Sequence, residues 1–133
     1  MEKRKLMVVD NDLHTLVILS TVFEIEGMEI IPVEDLRKCL AELEKGLEGV
    51  ILIDIMMPYV DGWAIIRNII REGFMENNRL IILTAERYPS EKMDEFDEYI
   101  DDYITKPFDV RYLVNSVKRS FERLEIAKKK QFA

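Results

Sequence analysis

Val50-Ile51-Leu52-Ile53-Asp54-Ile55-Met56-Met57-Pro58 is the stretch that decides how this chain of 133 residues folds. Val50–Ile53 is apolar without interruption, the pattern of a strand covered on both faces and hence of a parallel sheet flanked by helices. It stops on a carboxylate, Asp54, set beside a dry core where a charge is costly unless something compensates it. Leu6–Val9, Glu29–Val33, Leu80–Leu83 and Tyr99–Thr105 read as strands of the same kind.

Between these runs the spacing turns helical. Leu36, Leu40, Leu43 and Leu47 recur at steps of three and four, as do Val110, Leu113, Val114, Val117, Phe121 and Leu124. Asp12 is placed to cap a helix over Leu13–Glu26 ended by Gly27, Asp61 one ended by Gly73, and Ser90 a short one through Glu98. Pro32, Pro58, Pro89 and Pro107 fall at loop-like positions. The alternation predicts an α/β fold, a doubly wound, five-stranded parallel sheet. With no repeat, Gly/Ser linker or low-complexity tract, a single domain is expected over residues 1–133, its core about 4–125 and a basic helix end or tail over 126–133.

Composition narrows the function. With 19 Lys+Arg against 26 Asp+Glu the net charge is −7, which disfavours direct nucleic-acid binding, since that is driven by clustered cations. A lone cysteine, Cys39, and a lone histidine, His14, supply neither an internal disulfide nor a zinc site, so any metal is a hard, oxygen-bound one. Leu6–Val9 is too short for a secretion-signal core, and no apolar run approaches the ~20 residues of a membrane span. A soluble, cytoplasmic protein without membrane contact is expected.

In open α/β sheets ligands bind beyond the carboxyl ends of the strands. Here those ends carry Asp10-Asn11-Asp12, Asp54, Thr84-Ala85 and Lys106-Pro107, so three carboxylates, a hydroxyl and a lysine are expected to converge. First and third strands are neighbours in such a sheet, and Asp10 beside Asp54 calls for a cation. Magnesium suits carboxylates, waters and phosphate oxygens. With Lys106 clamping an incoming phosphoryl group and Thr84 donating to its oxygens, Asp54 can attack phosphorus and become an aspartyl phosphate.

Val8-Val9-Asp10, Ile51-Leu52-Ile53-Asp54-Ile55-Met56-Met57-Pro58, Asp61-Gly62, Leu83-Thr84-Ala85 and Asp101-Asp102-Tyr103-Ile104-Thr105-Lys106-Pro107-Phe108 together resemble a response-regulator receiver domain of the stand-alone, chemotaxis type. The resemblance spans essentially the whole chain and implies the flavodoxin-like strand order 2-1-3-4-5. It implies that Asp54 takes a phosphoryl group from a sensor histidine kinase. Asp10, Asn11, Asp54 and the Met56 carbonyl are then the magnesium ligands, and Lys106, Thr84 and Ala85 hold the phosphate. Thr84 and Tyr103 are the switch pair, remodelling the face built from the fourth helix, fifth strand and fifth helix. The Lys106-Pro107 bond is expected to be cis. The domain is an acceptor that assists its own phosphorylation, not an enzyme, and passes its signal to a downstream protein target.

One position departs from the family pattern. Asn11 stands where a second acid is usual, removing a negative charge from the ion's surroundings and lowering magnesium affinity. Asp12 does not replace it, because strand alternation sends it away and its position suits an N-cap. Met56 offers no group to orient a water and, with Glu86, is expected to tune the phosphate toward slow self-dephosphorylation.

Glu91, Asp94, Glu95, Asp97, Glu98, Asp101 and Asp102 oppose Arg111, Lys118, Arg119 and Arg123 of the last helix. The face is read either as solvated surface with internal pairing or as a homodimer interface across a twofold axis. Tyr103 is read alternatively as plain core. Trp63, Cys39 and the methionines read as packing, His14 as solvated, and Lys128-Lys129-Lys130 as a solvated helix end. Three rivals stand beside the receiver: a phosphorylation-independent binding module, a phosphatase resembling the haloacid-dehalogenase group through Asp10-Asn11-Asp12, and a flavin carrier. The last lacks a Ser/Thr/Gly-rich phosphate loop after the first strand.

Overall fold

The computed structural model describes residues 3–85 and 91–131, the side chains of 92–94 excepted. Strands β1 (Lys5–Val9), β2 (Glu29–Val33), β3 (Gly49–Ile53), β4 (Asn78–Thr84) and β5 (Ile100–Thr105) alternate with helices α1 (Leu13–Ile25), α2 (Leu36–Glu44), α3 (Gly62–Arg71), α4 (Glu91–Phe96) and α5 (Val110–Gln131). All strand pairs are parallel, in the order β2-β1-β3-β4-β5.

β3 is buried along its whole length, as its unbroken apolar run requires. Alternate side chains feed two cores. Ile51 and Ile53, with Met7, Val9, Leu80 and Ile82, pack against Ile65, Ile66 and Ile69 of α3. Val50 and Leu52, with Leu6, Val8, Ile81 and Leu83, pack against Leu19 and Phe23 of α1 and Leu113, Val117 and Phe121 of α5. Each such fully buried side chain contributes ~1.5–3 kcal/mol from apolar burial.

The caps fall where the residues place them. The Asp12 side chain accepts from the His14 N–H at 3.0 Å, and that of Asp61 from the Trp63 N–H at 3.0 Å. Gly27 and Gly73 each follow a helix end at φ +80°, the left-handed conformation that glycine adopts without penalty. Gly62 has a different reason to be glycine: a Cβ there would lie 2.4 Å from the Ile55 Cα. Only a bare backbone lets α3 begin against the β3–α3 loop.

Three expectations need correction. Pro32 lies inside β2, opposite Val8, not in a loop; β2 is an edge strand, where a missing N–H costs no ladder bond. The fourth helix ends at Phe96 and gives way to a 3-10 turn over Asp97–Tyr99, so β5 begins at Ile100. Its expected cap, Ser90, lies outside the described residues, as does Pro89.

The third concerns the acidic face, where internal pairing is found but Asp101 is sheltered and not solvated. The β4–β5 register passes from Leu80↔Ile100 to Ile81↔Asp102, leaving Asp101 in a bulge. A bulge suspends alternation, so both acids turn toward α5. Asp101, its side chain 6% exposed, is held by Arg79 Nε at 3.0 and 3.1 Å and by Ser120 Oγ at 2.6 Å, with Arg123 3.9 Å away. Asp102 accepts from Ser116 Oγ at 2.6 Å and Tyr112 Oη at 3.0 Å; that bond pushes the Tyr112 phenol upward in pKa. These acids are internal fasteners of α5. Lys118 is likewise taken, by Glu26 at 2.9 Å.

Candidate functional site

β1 and β3 run side by side and finish together, Val9 opposite Ile53. The next residue of each is therefore Asp10 and Asp54, 2% and 7% exposed. Their backbones continue the sheet for one bond more: the Asp10 N–H donates to Val33 O at 3.1 Å and the Asp54 N–H to Val9 O at 2.9 Å. Across the edge the Lys106 N–H donates to Thr84 O at 2.7 Å, which anchors the start of the β5–α5 loop and aims the lysine inward. The Lys106-Pro107 bond is cis.

Lys106 Nζ lies 2.7 Å from Asp54 Oδ2 and 3.2 Å from Asp10 Oδ2. The other carboxylate oxygens are held from below, Asp10 Oδ1 by the Asp12 N–H at 2.9 Å and Asp54 Oδ1 by the Met56 N–H at 2.8 Å. Two carboxylates thus share one ammonium. Burial raises the Asp10 pKa, with the Asp54 charge adding to it, against the Asp12 N–H and Lys106. Burial also works against the Lys106 charge, but the bond to Asp54 and the two carboxylate charges outweigh it, and its pKa rises overall. The lysine is a firm cation, and the pocket retains excess negative charge.

Thr84, the last residue of β4, is fully buried, and Ala85 beyond it is exposed. Tyr103 is half-buried and packs against the core cluster that holds Trp63 and Phe96, whose rings stack at 5.9 Å. Met56 is 56% exposed at the rim. Glu86 lies outside the described residues.

Two carboxylates converge, not three. Asp12 turns away to cap α1, also accepting from Thr15 Oγ1 at 3.2 Å, and the His14 N–H holds its carboxyl below the usual range. Among the described residues no group of three His, Cys, Asp or Glu side chains is placed to hold a metal. The donors present are nonetheless hard oxygens: two buried carboxylates and backbone carbonyls, with the Asn11 amide oxygen at the rim. Magnesium takes one or two carboxylates and completes its shell with water, so this donor set fits it. Two features escape the residue pattern: the Asn11 Nδ2 bond to Pro58 O at 3.2 Å, and Tyr59, fully exposed at φ +62°. The asparagine in an otherwise acidic site signals the first; nothing local signals the second.

The five-stranded 2-1-3-4-5 parallel sheet places the chain in the flavodoxin-like class of doubly wound folds, here with a carboxylate pair and a lysine at the carboxyl edge. The response regulator receiver domain family matches residues 6–118, and the chain belongs to that family. A CheY-like receiver domain protein from Methanospirillum hungatei JF-1 is 34% identical, with a TM-score of 0.79 over 96% of this chain and 99% of that one. The phosphate regulon transcriptional regulatory protein PhoB of Escherichia coli is 27% identical over 91% of this chain and 53% of its own. The alkaline phosphatase synthesis transcriptional regulatory protein PhoP of Bacillus subtilis is 29% identical over 93% of this chain and 51% of its own. The chain thus spans about half the length of these two relatives.

Receiver domains are phosphoryl acceptors of two-component signalling and generally bind Mg2+ at the phosphorylation site. The phosphorylation-independent binding-module and phosphatase readings are not favoured. Among the described residues no helix is long and apolar enough to cross a membrane.

Proposed function

We propose that Asp54 is the phosphoacceptor and that the donor is a phosphohistidine on a sensor kinase. One observation carries this reading: a lysine ammonium bridging two buried carboxylates at the edge of the central strands. Of the two, Asp54 is the more exposed and has the closer contact with Lys106, while Asp10 lies deeper, its charge disfavoured by burial.

An Asp54 carboxylate oxygen attacks phosphorus; the new O–P bond forms as the donor's N–P bond breaks, and the bonding pair leaves with the imidazole. Lys106, freed from part of its pairing, neutralises charge on the phosphoryl oxygens, and Thr84 and the Ala85 N–H donate to them. The Met56 N–H keeps Asp54 oriented. Asp10, Asn11, Asp54 and the Met56 carbonyl would hold Mg2+, which when bound offsets the charge of the carboxylates and of the incoming phosphoryl group.

The output is a surface change. Movement of Thr84 toward the phosphate and of Tyr103 into the space behind it alters the face formed by α4, β5 and α5. That face is read by a downstream protein or by a second copy of the chain. The kinase reaction places the domain in the cytoplasm, with Met56 and Glu86 setting the lifetime of the phosphate.

Borohydride reduction of protein treated with acetyl phosphate and Mg2+ tests the assignment, since it converts an aspartyl phosphate to homoserine. Peptide sequencing is expected to find homoserine at position 54. Homoserine at position 10 moves the acceptor to Asp10 and overturns the assignment; none at all overturns it and leaves a phosphorylation-independent binding module.

A further inference from the structure

Asn11 ends neither β1 nor the site passively. Its amide nitrogen lies 3.2 Å from the Pro58 carbonyl, 47 positions along the chain, joining the β1–α1 turn to the β3–α3 loop. The atom facing a carbonyl oxygen must be the nitrogen, because two oxygens would repel. A carboxylate at this position has no donor and could not make the bond.

The loop it holds has reason to open. Tyr59, next after Pro58, adopts φ +62°, a left-handed conformation that is strained for a bulky side chain. Its ring is fully exposed and recovers nothing by packing. Within the loop the Val60 N–H donates to Met57 O at 3.3 Å, and the same loop carries the Met56 N–H that orients Asp54.

We infer that Asn11 is a positioning residue: its amide nitrogen pins the strained Met57–Val60 turn over the phosphorylation site, and the chain gives up a cation-binding charge to obtain that strut. This rests on the site assignment above but is tested apart from it, in metal-free protein without a phosphodonor. Asn11 is exposed, so its substitutions leave the core intact; matching urea midpoints check this.

The readout is amide hydrogen exchange at Met56 and Val60 in wild type, Asn11→Ala and Asn11→Asp. Loss of the strut is expected to speed exchange at both amides about fivefold or more in both variants, the change carried by one net hydrogen bond. Tyr59→Gly relieves the turn, so Asn11→Ala in that background is expected to have a smaller effect. A parallel Mg2+ titration followed by Trp63 fluorescence should show tighter binding for Asn11→Asp despite its looser loop. Unchanged exchange in Asn11→Ala, or looser exchange only in Asn11→Asp, overturns the inference, the latter pointing to charge repulsion. Absence of a phosphoryl adduct at Asp54 would sink the site assignment and leave the strut standing.

Discussion

Replacing Lys106 by methionine keeps an unbranched, flexible side chain, one atom shorter, and removes the ammonium with its charge and its bonds to Asp10 and Asp54. Asp10 and Asp54, 2% and 7% exposed, then face each other with no cation between them. Removing one partner of a buried ion pair costs ~3–5 kcal/mol. The Lys106 side chain is 22% exposed, so water screens part of this and the lower end, ~3 kcal/mol, applies. With a urea slope of ~2 kcal/mol per molar, the midpoint at pH 7 falls by about 1.5 M.

The pH dependence follows from linkage. Burial already holds the Asp10 pKa above its unfolded value, and without the ammonium nothing but the Asp12 N–H opposes that rise. The variant therefore regains stability as pH falls toward the unfolded carboxyl value of ~4, and is worst at neutral pH. In the wild type the raised Lys106 pKa works from the other end, its stabilisation fully present below the unfolded lysine value and lost as pH rises through the folded one. Mg2+ should restore much of the variant's loss. Urea titrations at pH 7 and pH 5, with and without Mg2+, make the comparison. A loss equal at both pH values and indifferent to Mg2+ would refute the shared-ammonium reasoning.

Asp10→Asn is expected to raise stability at pH 7 by ~1 kcal/mol, because the amide keeps an acceptor for the Asp12 N–H without a buried charge. Since burial raises the Asp10 pKa, the advantage shrinks as pH falls through that value, which urea midpoints at two pH values check. Asp101→Ala leaves Arg79 and Ser120 without their partner and should cost ~2–3 kcal/mol by the same measurement. Met56→Asn puts a water-orienting amide at the exposed rim, and decay of the phosphorylated protein followed by intact mass is expected to quicken; an unchanged rate would dismiss shielding by Met56.

The unbroken apolar runs disclosed the sheet because a strand covered on both faces leaves no other pattern, and Asp12, Asp61, Gly27 and Gly73 marked helix ends by local chemistry alone. Pro32 misled for the opposite reason: whether proline fits a strand depends on what lies beside it, and an edge is a tertiary property. Asp101 and Asp102 looked like solvated charge because a one-residue bulge, invisible in the residues, reverses the direction of a side chain. Ser116 and Ser120, one helical turn apart on α5, were the available signal for it. At the site, Asp10, Asp54 and Lys106 stood out as charges ending apolar strands. The count of three carboxylates failed at Asp12, where capping a helix outweighed joining the pocket.

Intact mass after incubation with acetyl phosphate and Mg2+, for wild type and Asp54→Asn side by side, tests the phosphoacceptor most directly. One phosphoryl group on the wild type, absent without Mg2+ and absent in Asp54→Asn, is the expected result. An unmodified wild type, or equal modification of Asp54→Asn, would contradict it.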